Sequence, residues 1–125
     1  MRSAYAALAE HGVEAVLPFT DPEFEATTPA SLASEPDTYR GHEGVRRYFG
    51  SFGDAMEGVY FEGREFIPAG DKVLVDTTLH GRGRTTGIET EQHAFVVWTL
   101  RAGLVTGAET FAERGQALEA AGLKE

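Results

Sequence analysis

Apolar residues recur at three- and four-residue spacing at the start of the chain, where Ala4, Tyr5, Leu8 and Ala9 share one face of a predicted helix. His11-Gly12 stops it, because glycine readily takes a left-handed cap. Val13, Val16 and Leu17 mark a second short helix, ended by Pro18. Residues 23–28 alternate and predict a strand. Residues 29–38, rich in proline and serine, read as a loop long enough to form a lid or rim. Tyr39-Arg40-Gly41-His42-Glu43-Gly44 leads into a helix over about residues 43–56 with an apolar stripe of Val45, Tyr48, Phe49, Phe52 and Met56. Gly58 ends that helix. Strands then follow over 59–67, 72–83, 88–101 and 104–113, with turns at 69–71 and 102–103. A short helix near 115–121 closes the chain at Gly122. Helices segregated from a meander of strands predict an α+β fold with an antiparallel sheet and no parallel pairing.

The two longest strands can be paired from their residues. If Thr86-Gly87 is a two-residue loop, Thr85 faces Ile88, Arg82 faces Glu91, Arg84 faces Glu89 and His80 faces His93. A longer loop through Gly83–Gly87 is the alternative. One face then carries Val73, Val75, Thr77, Leu79, Ala94, Val96, Trp98 and Leu100, and must look into a core or pocket. The other carries Asp76, Thr78, His80, Arg82, His93, Phe95 and Val97. Phe95 and Val97 need a cover there. A second copy of the chain is the favoured one, and the C-terminal tail is the alternative.

The 125 residues amount to one domain, 1–125. A chain with 42% hydrophobic and 25% charged residues is ordinary for a globular protein, which argues against disorder. The absence of cysteine excludes disulfides and thiolate chemistry. A formal charge of −9 makes nucleic acid and anionic membranes poor partners. No apolar run approaches the roughly 18–20 residues of a membrane span, and the N-terminus lacks the apolar stretch of a signal peptide, so a cytoplasmic location is expected.

Several patterns carry candidate chemistry. Gly81-Arg82-Gly83-Arg84 precedes no helix and reads as a hairpin tip with arginines paired to glutamates, not as a phosphate cradle. His80 and His93 can approach across the hairpin near Asp76, a set able to hold a metal; two surface histidines are the favoured reading, and no metal or cofactor is assigned. His42 stands at a helix N-terminus, where it reads as a turn and entry motif. No Gly-x-Ser-x-Gly nucleophile elbow is present.

Together, Ala-Glu-His-Gly at 9–12, Asp21-Pro22, the run Tyr-Arg-Gly-His-Glu-Gly-Val-Arg-Arg-Tyr-Phe at 39–49, Ala-Gly-Asp-Lys-Val at 69–73, Val-Trp-Thr-Leu-Arg-Ala-Gly at 97–103 and the terminal Ala-Leu-Glu-Ala-Ala-Gly-Leu resemble the SnoaL-like branch of the nuclear-transport-factor-2-like superfamily. The resemblance covers nearly the whole chain. It implies a cone-shaped α+β barrel, in which a curved antiparallel sheet wraps a long helix and encloses an apolar cavity, and it implies a homodimer. The family holds polyketide cyclases, ketosteroid isomerases, epoxide hydrolases, dehydratases and non-catalytic binding domains, so fold alone does not choose an activity. By this resemblance Tyr5 matches the carbonyl-polarising tyrosine of the isomerases. Thr28, before Pro29, stands where their aspartate base would be, and Val96 where their second acid would be. Two of three isomerase groups are therefore missing. The cyclases' acid/base aspartate has no inward counterpart, since Asp76 falls on the outer face.

The expected ligand pocket comprises Tyr5, Glu25, Thr28, Tyr48, Phe52, Thr77, Gln92, Val96, Trp98 and Glu109, with Thr90 a further inward candidate. If Glu25 or Glu109 points inward, burial would raise its pKa and suit it to general acid/base work. The leading reading is a pocket for a small apolar molecule. An isomerase-, cyclase- or hydrolase-type enzyme using a cavity carboxylate is the second, and a protein-association module the third.

Overall fold

A computed structural model describes residues 2–27 and 38–123. In chain order they form α1 (Arg2–His11), a 3₁₀ helix (Val13–Phe19), β1 (Thr20–Thr27), β2 (Thr38–Arg40), α2 (Gly41–Ala55), β3 (Met56–Ala69), β4 (Lys72–Gly83), β5 (Glu89–Arg101), β6 (Leu104–Phe111) and α3 (Arg114–Ala120). The architecture is α+β, as the pattern predicts. The six strands make one curved sheet in the order β2-β1-β6-β5-β4-β3. The predicted loop over 29–38 lies outside the described residues except for Thr38, which opens β2.

Two expectations about the sheet are corrected. It is not closed into a barrel, since β2 and β3 are its two edges. Nor is it wholly antiparallel: β1 runs parallel to β6, with Ala26 opposite Ala108 and Thr27 opposite Glu109. Local patterning concerns neighbouring elements and carries no trace of this pairing. Everything from β2 to β5 serves as its crossover.

The 3₁₀ helix runs one residue past Pro18, and the side-chain hydroxyl of Thr20 donates to the carbonyl of Val16 at 2.9 Å to finish it. Asp21 makes the turn its type predicts, its Oδ1 accepting from the Glu23 amide at 2.8 Å. That turn lies inside β1, where pairing with β6 is interrupted between Thr20 and Glu25.

The β4–β5 hairpin also departs from expectation. Arg82 lies opposite Glu89, not Glu91, and His80 lies opposite Glu91, not His93. The longer loop is the one formed. The Gly83 amide donates to the Ile88 carbonyl at 3.0 Å, the Gly87 amide donates to the Gly83 carbonyl at 2.9 Å, and Gly87 takes φ +69°. A four-residue loop ending in a left-handed glycine replaces the two-residue turn. The offset is two residues, and side chains alternate with period two, so the faces stay as predicted.

The convex face is where the favoured cover fails. Leu74 and Val97 are fully or almost fully buried against Ala117, Leu118 and Ala121 of α3 and its cap, with Phe95, Phe111 and Ile67 packed around them. The C-terminal helix is therefore the cover, and no second copy is needed to keep Val97 dry. Its end is a Schellman motif: Gly122, at φ +80°, donates to the Glu119 carbonyl, and the Leu123 amide donates to the Leu118 carbonyl at 2.8 Å. Leu118 and Leu123 then meet on the apolar side of the cap. Among the described residues, no helix is long and apolar enough to cross a membrane.

Candidate functional site

The concave face of the sheet carries alternate residues of every long strand, and α1, the 3₁₀ helix and α2 lie against it. Between them is a pocket of about 100 Å³. Its helical side is Tyr5 and Leu8 from α1, Val16 and Phe19 from the 3₁₀ helix, and Val45, Tyr48 and Phe49 from α2. Its sheet side is Phe24 and Ala26 from β1, Phe61 from β3, Thr77 and Leu79 from β4, Gln92 to Trp98 in alternation from β5, and Val105, Ala108 and Thr110 from β6. Edge-to-face ring pairs join Tyr39 to Tyr48, Tyr48 to Phe49, and Phe49 to Phe61, with centroids 5.0–5.2 Å apart. These pairs fix one wall as a continuous aromatic surface from β2 across α2 to β3.

Tyr5 organises the polar part of the pocket. Its hydroxyl lies 2.8 Å from Thr77 Oγ1 and 3.1 Å from Trp98 Nε1. An indole N–H can only donate, so Tyr5 accepts from Trp98. Thr77 Oγ1 donates to the Val75 carbonyl at 3.3 Å, which leaves Tyr5 donating to Thr77. The tyrosine ring also stands edge-on to Phe66 and to Trp98, at 5.4 and 6.1 Å. Gly63, opposite Thr77 on β3, makes room for this group. A Cβ there would come 2.5 Å from the Phe66 ring and 3.1 Å from Tyr5 Cδ2. Burial pushes the Tyr5 pKa up to about 12 against the opposing pull of its hydrogen bonds to Thr77 and Trp98. Tyr5 is thus a neutral hydroxyl at physiological pH.

Among the described residues, no Asp, Glu, Lys, Arg or His lines the pocket. Of the residues expected there, Tyr5, Tyr48, Thr77, Gln92, Val96 and Trp98 are brought together around it. Glu25 and Glu109 are not. Both alternate outward from pocket-lining neighbours (Phe24 and Ala26, Ala108 and Thr110) and are exposed, and Glu25 pairs with Arg40 at 3.2 Å. Thr90 is exposed near the hairpin end, its hydroxyl donating to the Gly81 carbonyl at 3.3 Å. Thr28 lies outside the described residues. Phe52 belongs to α2, and its side chain lies outside them too.

Sequence reasoning missed the 3₁₀ and β1 contributions, Phe19, Thr20 and Phe24. The alternation of Phe24 and Ala26 with Glu23 and Glu25 was the available signal for the last of these. It also missed Gly63, which a lone glycine within a strand pattern could have marked as a place of close approach.

The histidines do other work. His80 stacks on Tyr60 with centroids 4.4 Å apart, its Nε2 lying 3.0 Å from Glu62 and its Nδ1 3.5 Å from Glu91. His93 Nδ1 is 3.2 Å from Thr78 Oγ1. His42 Nε2 is 2.9 Å from the Thr20 carbonyl and ties α2 to β1. Among the described residues, no group of three His, Asp or Glu side chains is arranged to hold a metal ion.

Comparison with known proteins gives this geometry its family. A model of the SnoaL-like domain matches residues 1–108. No curated protein matches the sequence. Among solved structures, an NTF2-like protein from Burkholderia thailandensis is 28% identical, with 94% of this chain and 92% of that one covered at a TM-score of 0.78. TerC, co-crystallised with polyporic acid, is 24% identical over 97% of this chain and 94% of its own, at a TM-score of 0.77. A protein of ketosteroid isomerase-like fold from Catenulispora acidiphila, in complex with trimethylamine, is 16% identical over 98% and 92%, at a TM-score of 0.75. The curved sheet, the helices laid across its concave face and the match to most of the chain agree: this chain belongs to the SnoaL-like domain family.

Proposed function

We propose that this SnoaL-like domain binds a small, uncharged and largely apolar molecule between α1, α2 and the concave face of the sheet. The observation that carries the reading is the lining itself: aromatic and aliphatic walls with a few hydroxyl, indole and amide groups, and no ionised side chain among the described residues. An apolar pocket with sparse convergent polar groups suits such a ligand, because a charge placed there would be desolvated without a partner. TerC, of the same fold, was crystallised with polyporic acid, which supports a pocket reading.

Proton transfer by a cavity carboxylate, the enzymatic alternative, has no support from Glu25 or Glu109, which stand outside the pocket. The test is a screen of neutral aromatic, steroid-like and terpenoid compounds, read by calorimetry and by the emission of Trp98, the single tryptophan. Saturable binding that shifts Trp98 emission is the expected result. Binding that leaves Trp98 unaffected, or preference for charged compounds, overturns the reading.

A further inference from the structure

We propose that Gln92 is the specificity-determining residue of this pocket, and that it selects flat ligands carrying oxygen groups at two opposite ends. The inference rests on the pocket reading above and adds the ligand class.

Three of the pocket's polar side chains are already committed to one another. Trp98 donates to Tyr5, and Tyr5 and Thr77 share a hydrogen bond. Gln92 is different. It lines the same pocket, half-buried, and its carboxamide makes no hydrogen bond among the described residues. A primary amide offers two donors and an acceptor, so an unengaged one on an apolar wall favours any ligand oxygen that reaches it.

The register sets where that oxygen must be. Gln92 lies opposite Leu79, and Thr77 lies opposite Ala94, so Gln92 and Thr77 are diagonal neighbours on the concave face. Such neighbours stand roughly 7–8 Å apart. Tyr5 sits over Thr77. A one-ring ligand can therefore place one oxygen at the Tyr5 hydroxyl and the other at the Gln92 amide. The hydroxyl pair adapts to it: if Thr77 turns its proton from the Val75 carbonyl to Tyr5, Tyr5 can donate to a ligand carbonyl, and only the 3.3 Å bond is given up. Between the two ends the ligand ring meets apolar side chains, Leu79 and Ala94 on the sheet side.

The test compares three probes by calorimetry: 4-hydroxyacetophenone, with oxygen at both ends, and acetophenone and 4-ethylphenol, each lacking one. Wild-type protein should bind the first about fivefold more tightly than either of the others, the worth of one net hydrogen bond. In Gln92→Leu that advantage should vanish over the better one-ended probe, whose own affinity stays the same. Gln92→Met serves as a second variant of similar length, with Trp98 emission as the check on folding. Equal affinity of all three probes for the wild type overturns the Gln92 proposal and leaves the pocket reading standing. So does an advantage that survives in both variants. No binding of any probe overturns the pocket reading, and this proposal with it.

Discussion

The indole nitrogen of Trp98 lies 3.1 Å from the hydroxyl of Tyr5, across 93 residues of chain. One bond thus ties the first helix to the inner strand of the sheet, in the middle of the pocket. Losing it should be felt as stability. Tyr5→Phe keeps the ring and its contacts but leaves the Trp98 N–H and the Thr77 hydroxyl short of a partner. A cost of about 1–3 kcal/mol is expected in chemical denaturation. A loss well under that range would mean that water replaces the hydroxyl.

The same hydroxyl should titrate late. Burial holds the Tyr5 pKa near 12, above the value of 10.0 for an unperturbed tyrosine. The folded value is the raised one, so the stability linked to Tyr5 is fully present below pH 10 and is lost as pH rises toward 12, because the unfolded chain ionises first. The difference in tyrosinate absorbance between wild type and Tyr5→Phe should therefore appear near pH 12. A midpoint near 10 would show the hydroxyl to be solvated.

Trp98 is half-buried and faces the pocket, so its emission should respond to what occupies that space. Acrylamide should quench it in the free protein, and a bound apolar compound should reduce the quenching constant severalfold. Unchanged quenching at saturation would place the compound elsewhere.

On the convex face, Leu118 is 6% exposed and holds α3 over Leu74 and Val97. Leu118→Ala should cost about 2–5 kcal/mol. Because the covered strands then become accessible, it should also increase binding of a hydrophobic dye. A loss below 1 kcal/mol, with no gain in dye binding, would show that α3 is dispensable as a cover.

Gly63→Ala should disturb the pocket from behind Tyr5, since the added methyl meets the rings of Phe66 and Tyr5. The expected signature is a shift in Trp98 emission together with destabilisation of about 1–3 kcal/mol. Gly70, whose Cβ would meet nothing but whose φ is +66°, is the control: Gly70→Ala should destabilise through the backbone and leave the emission alone.

Much of this was legible in the sequence because period-two alternation is local. Thr77, Gln92, Val96 and Trp98 could be put on one face of the sheet from their numbers alone, and a hairpin misread by two residues still put them there. Tyr48 followed from the helical stripe. Glu25 and Glu109 were misjudged for a related reason: each strand's inward face had to be inferred without knowing what it packed against, and β1 and β6 are neighbours only through the parallel pairing. The sequence favours a second copy of the chain over Val97, whereas α3 is what lies against it. Ala117, Leu118 and Ala121 form an apolar face visible in the sequence, but nothing in their spacing says which side of the sheet they reach.

The parallel pairing of β1 with β6 also dictates an order of events. β3 to β6 form a meander whose partners are consecutive, so each junction closes a short loop. Joining Ala26 to Ala108 means bringing together points 82 residues apart. The loop entropy of that step is repaid only after β6 has a place in the sheet. A refolding chain should therefore build its concave wall first and roof it last, leaving an open apolar trough on the way. During synthesis the order of appearance is reversed: β1 emerges long before the strand it joins and must wait for it. The interval is one of exposure, when the surfaces destined for the pocket face water and other chains.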